Sequence, residues 1–191
     1  MHLDAELLSP TTVIDSDHPD IVALARTLTG ATPPQTVRNV FEYVRDRITH
    51  PADTGGTGVA VSASETLQAG EGVCHAQAAL LAALYRAAGI PAGLRHQQVD
   101  TETGQSVLHG IATVWAPDIS ETGGFLLVDP RYPEGDPRHS GHDWQTRALQ
   151  PPFERNLPTV HTDMPPAVVT ALREATDAQS LLRGGLPAAL G

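Results

Sequence analysis

Apolar positions recur with helical spacing through the first half of the chain and alternate with polar ones only after it. Thr11-Thr12-Val13-Ile14 ends the opening stretch and predicts a short strand or an extended lead-in. Asp17 and Pro19 then open a helix with Ile21, Leu24, Ala25 and Leu28 on one side, closed by Gly30. Pro33-Pro34 start a second, with Val37, Val40, Phe41, Val44 and Ile48 on one face. Ser62 and Glu65 have the spacing of a capping box ahead of a short helical turn through Thr66-Leu67. The next pattern is different. From Ala78 to Ala88 every residue but Arg86 is apolar, and a helix apolar all round has to be buried on every side. Gly89 supplies a residue that tolerates positive φ past its end, and Pro91 prevents its continuation.

Beyond Pro91 the period shortens to two. Ala92–Val99 reads as a strand, and Ser106–Trp115 as a clearer one, with Val107, His109, Ile111, Thr113 and Trp115 on one face. Phe125, Leu127 and Asp129 share a face of the next, which Pro130 stops. Pro117–Gly123 is a short polar turn, so the last two strands should pair as an antiparallel hairpin. Folding it about its midpoint sets position 111 opposite 129 and makes His109 and Asp129 diagonal neighbours; a slip of one residue would part them. From Arg131 onward proline, histidine and charge predominate and predict an extended segment over the surface. Pro165–Arg183 reads as a C-terminal helix ended by Gly184-Gly185. With no internal repeat and no linker, the pattern describes one α+β domain over residues 1–191. Its core spans about 15–135, and 136–191 adds the extended segment and the helix.

Composition narrows the partners. The 191 residues are 40% hydrophobic and 18% charged, enough for a substantial core. Twelve basic against twenty-two acidic residues give a formal charge of −10, which argues against nucleic acid or an anionic membrane surface as partner. No apolar run is long enough to span a bilayer. Met1–Glu6 lacks the basic and apolar regions of a signal peptide, so a cytoplasmic location is expected. A single cysteine excludes an internal disulfide and any Cys-rich zinc site.

That cysteine sits where loop becomes helix, in Gly70-Glu71-Gly72-Val73-Cys74-His75-Ala76-Gln77. The free N–H groups and positive dipole end of a first helical turn favour a thiolate over a thiol. The alternative is a small buried apolar residue, a common role of free cysteines. Cysteine at a helix start, histidine on a strand and aspartate on the neighbouring strand form the layout of a Cys-His-Asp triad. The sulfur attacks an acyl carbon, the imidazole moves the proton, and the carboxylate orients the imidazole. The Cys74 N–H would supply one oxyanion donor. Gln68, upstream of the cysteine, is a candidate for the second.

Four segments in order carry a resemblance: Gly70–Gln77, Leu81–Ala92 with its Leu84-Tyr85-Arg86-Ala87-Ala88-Gly89-Ile90-Pro91-Ala92 ending, Leu108-His109-Gly110 and Val128-Asp129-Pro130-Arg131. Together they resemble the transglutaminase-like domain of the papain-like cysteine superfamily, over roughly residues 15–135. The resemblance implies a papain-like α+β fold in which Cys74 is the nucleophile, His109 the base and Asp129 the orienting acid. It also implies chemistry through an acyl-thioester, with no cofactor. An aromatic residue common soon after the family's histidine is replaced by Gly110-Ile111, and a Trp common before its aspartate by Gly124-Phe125.

The remaining signals are weaker. His75 beside the cysteine and His96 on the preceding strand are candidates to flank the cleft, as is Trp115; each is equally an ordinary packing residue. His139-Ser140-Gly141-His142-Asp143 lacks the glutamate and the helical pattern of a zinc protease and reads as a solvated loop, so no metal site is expected. Asp53–Gly58 reads as a mobile loop, without the ending of a phosphate loop. The expected function is cysteine-dependent acyl transfer on an amide, ester or thioester of a peptide or small molecule. Water as acceptor makes it a peptidase or amidase, an amine makes it a transferase. The competing expectation is an inactive binding or scaffold domain of the same fold. The oligomeric state is left open.

Overall fold

A helix apolar on every side needs neighbours all round it, and the chain supplies three helices and a sheet. In a computed structural model, which describes residues 5–100, 104–132, 136, 144 and 148–190, the helices are α1 (Pro19–Leu28), α2 (Pro33–Arg47), α3 (Pro51–Thr54), α4 (Ala63–Ala69), α5 (Cys74–Ala87), α6 (Pro166–Glu174) and α7 (Ala178–Ser180). The strands are β1 (Ala92–Asp100), β2 (Ser106–Trp115), β3 (Phe125–Val128) and β4 (Arg155–Asn156), and a π-helical turn covers Leu181–Gly185. Helices α1, α2 and α4 pack against α5, as do β1 and β2. Every residue from Cys74 to Arg86 is buried. Alanines 76, 78, 79, 82 and 83 keep the helix narrow, and Leu80, Leu81, Leu84 and Tyr85 fill the spaces between its neighbours. The Tyr85 hydroxyl donates to Val37 O at 3.1 Å, so its polar end is satisfied inside the core.

The far end of α5 is closed twice. Gly89 takes φ 78°, Gly89 N–H donates to Arg86 O at 2.9 Å, and Ile90 N–H donates to Tyr85 O at 2.9 Å. That pair is a Schellman motif. Arg86 is buried, and its guanidinium donates to three carbonyls from three parts of the chain: Ala92 O at 2.8 Å, Ser9 O at 2.6 Å and Thr162 O at 2.7 Å. Burial lowers its pKa to about 10, opposed by Asp163, so the group stays cationic.

The sheet has the order β3-β2-β1-β4 with every pairing antiparallel. Ala112 faces Val128 and Thr113 faces Leu127, which continues to 111 opposite 129, the register expected from the length of the turn. The fold class is the expected mixture of buried helix and antiparallel sheet.

Other elements differ from the sequence pattern. Thr11–Ile14 is a turn and not a strand: the Thr11 hydroxyl accepts from Ile14 N–H at 2.9 Å and donates to Asp163 at 2.8 Å, a local alternative to strand pairing. The Asp53–Gly58 loop begins as the last turn of α3, and Gln179 Nε2 donates to Gly56 O at 2.8 Å and to Pro51 O at 3.1 Å. The C-terminal helix breaks after Glu174, because Asp177 takes an extended backbone and its side chain accepts from Ser180 N–H at 2.7 Å. Within the extended segment, Arg155–Asn156 pairs with β1 as β4, and Trp144 packs edge-on against Phe41 with centroids 5.4 Å apart. Residues 139–143 lie outside the described residues.

Arg86→Leu should lower stability by about 1–3 kcal/mol, since it leaves the buried Ala92 carbonyl without its donor while those of Ser9 and Thr162 lie nearer solvent. Urea denaturation measures it; a loss below about 1 kcal/mol would mean that the three carbonyls are solvated without Arg86.

Candidate active site

Cys74 is the first residue of α5, and its N-cap, Val73, contributes no side-chain hydrogen bond. The first-turn amides are thus left without a side-chain acceptor, and the positive end of the helix lies beside the sulfur. The chain reaches this point along a second backbone. Thr49 N–H donates to Gly70 O at 3.0 Å, and Gly72 N–H donates to Thr49 O at 3.0 Å, a parallel bridge joining the two segments. Gln77 Nε2, one turn into α5, donates to Ile48 O at 2.9 Å. Gly72 is required by this approach, since a Cβ there would lie 3.0 Å from both Ala76 Cβ and Thr66 Cγ2.

The bridge carries His50 to the cysteine. His50 is buried, and its Nδ1 accepts from Ala52 N–H at 3.1 Å as the N-cap of α3. It lines a cavity of about 180 Å³ together with Cys74 and His109, and Val107, Leu108 and Leu181 add apolar walls. The C-terminal turn is held there by Leu108 N–H donating to Pro187 O at 2.9 Å.

The hairpin brings His109 to Asp129, with Nε2 and Oδ2 3.0 Å apart and both groups buried. Asp129 Oδ1 accepts from Arg131 N–H at 3.0 Å, so the carboxylate is fixed by the turn that follows it. The other imidazole nitrogen of His109 is not used by Asp129, and His109 lines the same cavity as Cys74. Burial works against an imidazolium at His109, but the Asp129 carboxylate and then the Cys74 sulfur outweigh it and raise its pKa. Burial likewise works against a thiolate at Cys74. The charges of His75 and His109, with hydrogen bonds from His109 and His50, outweigh it and hold the thiol well below its usual range. Both shifts favour a thiolate–imidazolium pair.

His75 is also at the sulfur, with Nδ1 3.4 Å from Sγ. Its ring lies over Gly110, where a Cβ would come within 2.7 Å of it. Gly110 faces His96 across β1 and β2, and the missing side chain lets the two rings approach to 5.5 Å. His96 in turn meets His161 at 5.3 Å. His75 Nε2 and His96 Nδ1 are both buried without a hydrogen-bond partner. Burial, then the charges of His75 and His161, push His96 down to about 3 and keep it neutral. Among the described residues, no group of three or more His, Cys, Asp or Glu side chains is arranged to hold a metal ion.

The sequence profile described as the transglutaminase-like superfamily matches residues 22–130, more than half of the chain. The chain belongs to the transglutaminase-like superfamily. None of the curated proteins matches it. Among solved structures, a candidate cysteine protease from Cytophaga hutchinsonii superposes with a TM-score of 0.54 at 22% identity, covering 66% of this chain and 41% of that one. The periplasmic domain of TgpA from Pseudomonas aeruginosa gives 0.47 at 22% identity, covering 65% and 46%. The chain therefore spans less than half the length of these neighbours, and the first likeness speaks for the fold alone.

Within this superfamily fold, the residues singled out from the sequence separate into two groups. Cys74, His109 and Asp129 are brought together, with His75 against the sulfur and His96 behind His75. Gln68 and Trp115 are not. Gln68 is exposed on α4 and lines a separate cleft of about 600 Å³ with Glu65, Glu71 and Arg173, because the helix turns that face away from the Cys74 cavity. Trp115 lies six residues along β2 from His109, about 20 Å away, and is 42% exposed. It packs edge-on against Phe125 at 5.2 Å, which ties it to the hairpin tip. Arg131 pairs with Asp53, with Nη2 3.1 Å from Oδ1, and so joins the end of the hairpin to α3. His50 was not legible in advance. Its one local sign is a histidine directly before a proline, an N-cap position.

Two titrations test this electrostatic arrangement. Alkylation of Cys74 by iodoacetamide should reach its full rate well below pH ~8.5, and His109→Ala should move the profile upward; an ordinary thiol profile in both would remove the ion pair. Below ~6.5 the unfolded chain protonates at position 96, whereas folded His96 resists protonation until about pH 3. Stability should therefore fall as pH drops from ~6.5 toward 3, and His96→Gln should flatten that fall in urea midpoints. An unchanged slope would show that His96 takes up its proton in the folded state.

Proposed function

We propose that this chain is a cysteine acyl-transfer enzyme, with Cys74 as nucleophile, His109 as base and then acid, and Asp129 as the group that orients His109. The observation that carries this reading is the buried His109–Asp129 pair, 3.0 Å apart, whose histidine shares a cavity with Cys74 at the start of a buried helix, where the His109 charge helps to lower the pKa of the thiol. The thiolate attacks the carbonyl carbon of an amide, ester or thioester. As the tetrahedral adduct collapses, His109 gives its proton to the leaving group and an acyl-thioester stays on Cys74. His109 then takes a proton from the acceptor, water or an amine, as that acceptor attacks the thioester. Cys74 N–H, at the start of α5, is one oxyanion donor.

A cavity of about 180 Å³ with valine and leucine walls suits a modest apolar acyl group, supplied by a peptide or a small molecule. No cofactor has a part in these steps. None of the described helices is long and apolar enough to cross a membrane.

The test is formation of an acyl-enzyme with p-nitrophenyl acetate, read by p-nitrophenol release and intact mass. Wild type should gain one acetyl group on Cys74. Cys74→Ser should lose turnover with its thermal midpoint nearly unchanged, since the swap is almost isosteric. Asp129→Asn should keep the fold and lose about 10⁴-fold in rate, as expected when the imidazole is held in the wrong tautomer. A wild type that resists acylation although its cysteine alkylates would favour a binding domain, and near-wild-type activity in Asp129→Asn would remove that residue from the mechanism.

A further inference from the structure

We propose that His50 is the second oxyanion donor, acting through its Nε2–H; this rests on the acyl-transfer reading above. The tautomer is the central point. His50 Nδ1 accepts the Ala52 N–H at 3.1 Å, so that nitrogen carries a lone pair. In the neutral ring the proton then sits on Nε2. The ring is anchored by its cap at Nδ1, and His50 lines the same cavity as Cys74 and His109. A donor on the wall of the cavity that the sulfur also lines can meet the oxygen of a carbonyl whose carbon the sulfur attacks.

The backbone holds it there independently of the side chain. Thr49, the preceding residue, is bridged to both Gly70 and Gly72, and Gln77 of α5 holds Ile48 O. The position of His50 relative to the first turn of α5 is therefore set by main-chain bonds on both segments, the preorganisation that an oxyanion site requires. Gln77, Gln68 and His75 do not line the Cys74 cavity. Gln77 Nε2 is held by Ile48 O and Thr49 O. Gln68 faces another cleft. His75 places Nδ1 3.4 Å from the sulfur, but its ring lies against Gly110 and His96 and is not part of the cavity wall.

In the step itself the carbon–sulfur bond forms and the carbonyl π pair moves onto oxygen. Cys74 N–H and His50 Nε2–H donate to that oxygen, and neither gives up its proton. On collapse the pair returns to the carbonyl, the bond to the leaving group breaks, and the departing atom takes its proton from His109. His50 thus serves acylation and deacylation alike.

The experiment compares two reactions of the same sulfur. Acylation by p-nitrophenyl acetate passes through an oxyanion, whereas alkylation by iodoacetamide is a displacement at carbon and forms none. His50→Asn keeps a side-chain oxygen in the cap position, a favoured N-cap residue, but is too short to replace Nε2; His50→Ala removes both. Each variant is first compared with wild type by circular dichroism and thermal midpoint. The expected result is a loss of about 10²–10³-fold in acylation in both variants, with the alkylation rate at its pH plateau unchanged. Equal losses in the two reactions would overturn the proposal, since His50 would then act only on the thiolate. Unchanged acylation in His50→Asn would overturn it too and leave His50 as a helix cap. A wild type that alkylates at low pH but is never acylated would instead defeat the acyl-transfer reading, and the proposal with it.

Discussion

Helix α5 has no face that can be left in water, and the rest of the chain is arranged to meet that requirement. Three helices and two strands enclose it, and its alanines allow them close enough to exclude solvent. A helix enclosed in this way has few places where its ends can emerge. Its C-terminal end is sealed by a Schellman motif and a buried arginine, so the N-terminal end is where the helix meets a cavity. The cysteine occupies that end. Burial of the helix and the lowered pKa of the thiol belong to one arrangement, since the dipole and free amides that favour a thiolate come with the helix start.

Charge in the site is managed by pairing. A buried thiolate or a buried imidazolium alone would be costly; His75 and His109 favour the thiolate, and Asp129 with the sulfur favours the imidazolium at His109. The same interior holds His96 neutral a few ångströms away, because it is buried and its ring neighbours are two further histidines. Histidines in one small region thus take opposite protonation behaviour, decided by which groups lie alongside.

Much of this could be read from the chain because the relevant rules are local. Folding the hairpin about the middle of the polar turn at 117–123 gives the register observed, and that register brings His109 to Asp129. Ser62 and Glu65 form the capping box that their spacing implies. What could not be read depends on segments that meet only in space. His50 reaches the sulfur through a two-residue parallel bridge to the glycines before Cys74, a pairing with no period and no turn to announce it. The apolar walls of the cavity come partly from the Leu181–Gly185 turn, near the other end of the chain. Asp177 broke the expected C-terminal helix because a side-chain cap outcompeted helix continuation, a contest that apolar spacing does not record. Gln68 fell on the wrong side of α4 because a seven-residue helix leaves its outward face to the tertiary packing.

Arg86 adds a temporal dimension to this architecture. Its three carbonyl partners belong to residues 9, 92 and 162, so one side chain ties the leading segment, the first strand and the late segment to the same helix end. Only the second of these lies nearby in sequence. Until the two distant segments arrive, a guanidinium and two carbonyls must stay hydrated at the edge of an otherwise apolar helix, which opposes drying of the core there. Folding of the helix layer and closure of the chain's remote parts are thereby coupled into one cooperative event. A catalytic cysteine on such a helix would gain its reactivity only when the whole assembly is in place, which keeps a nucleophilic sulfur from being active in a half-folded chain.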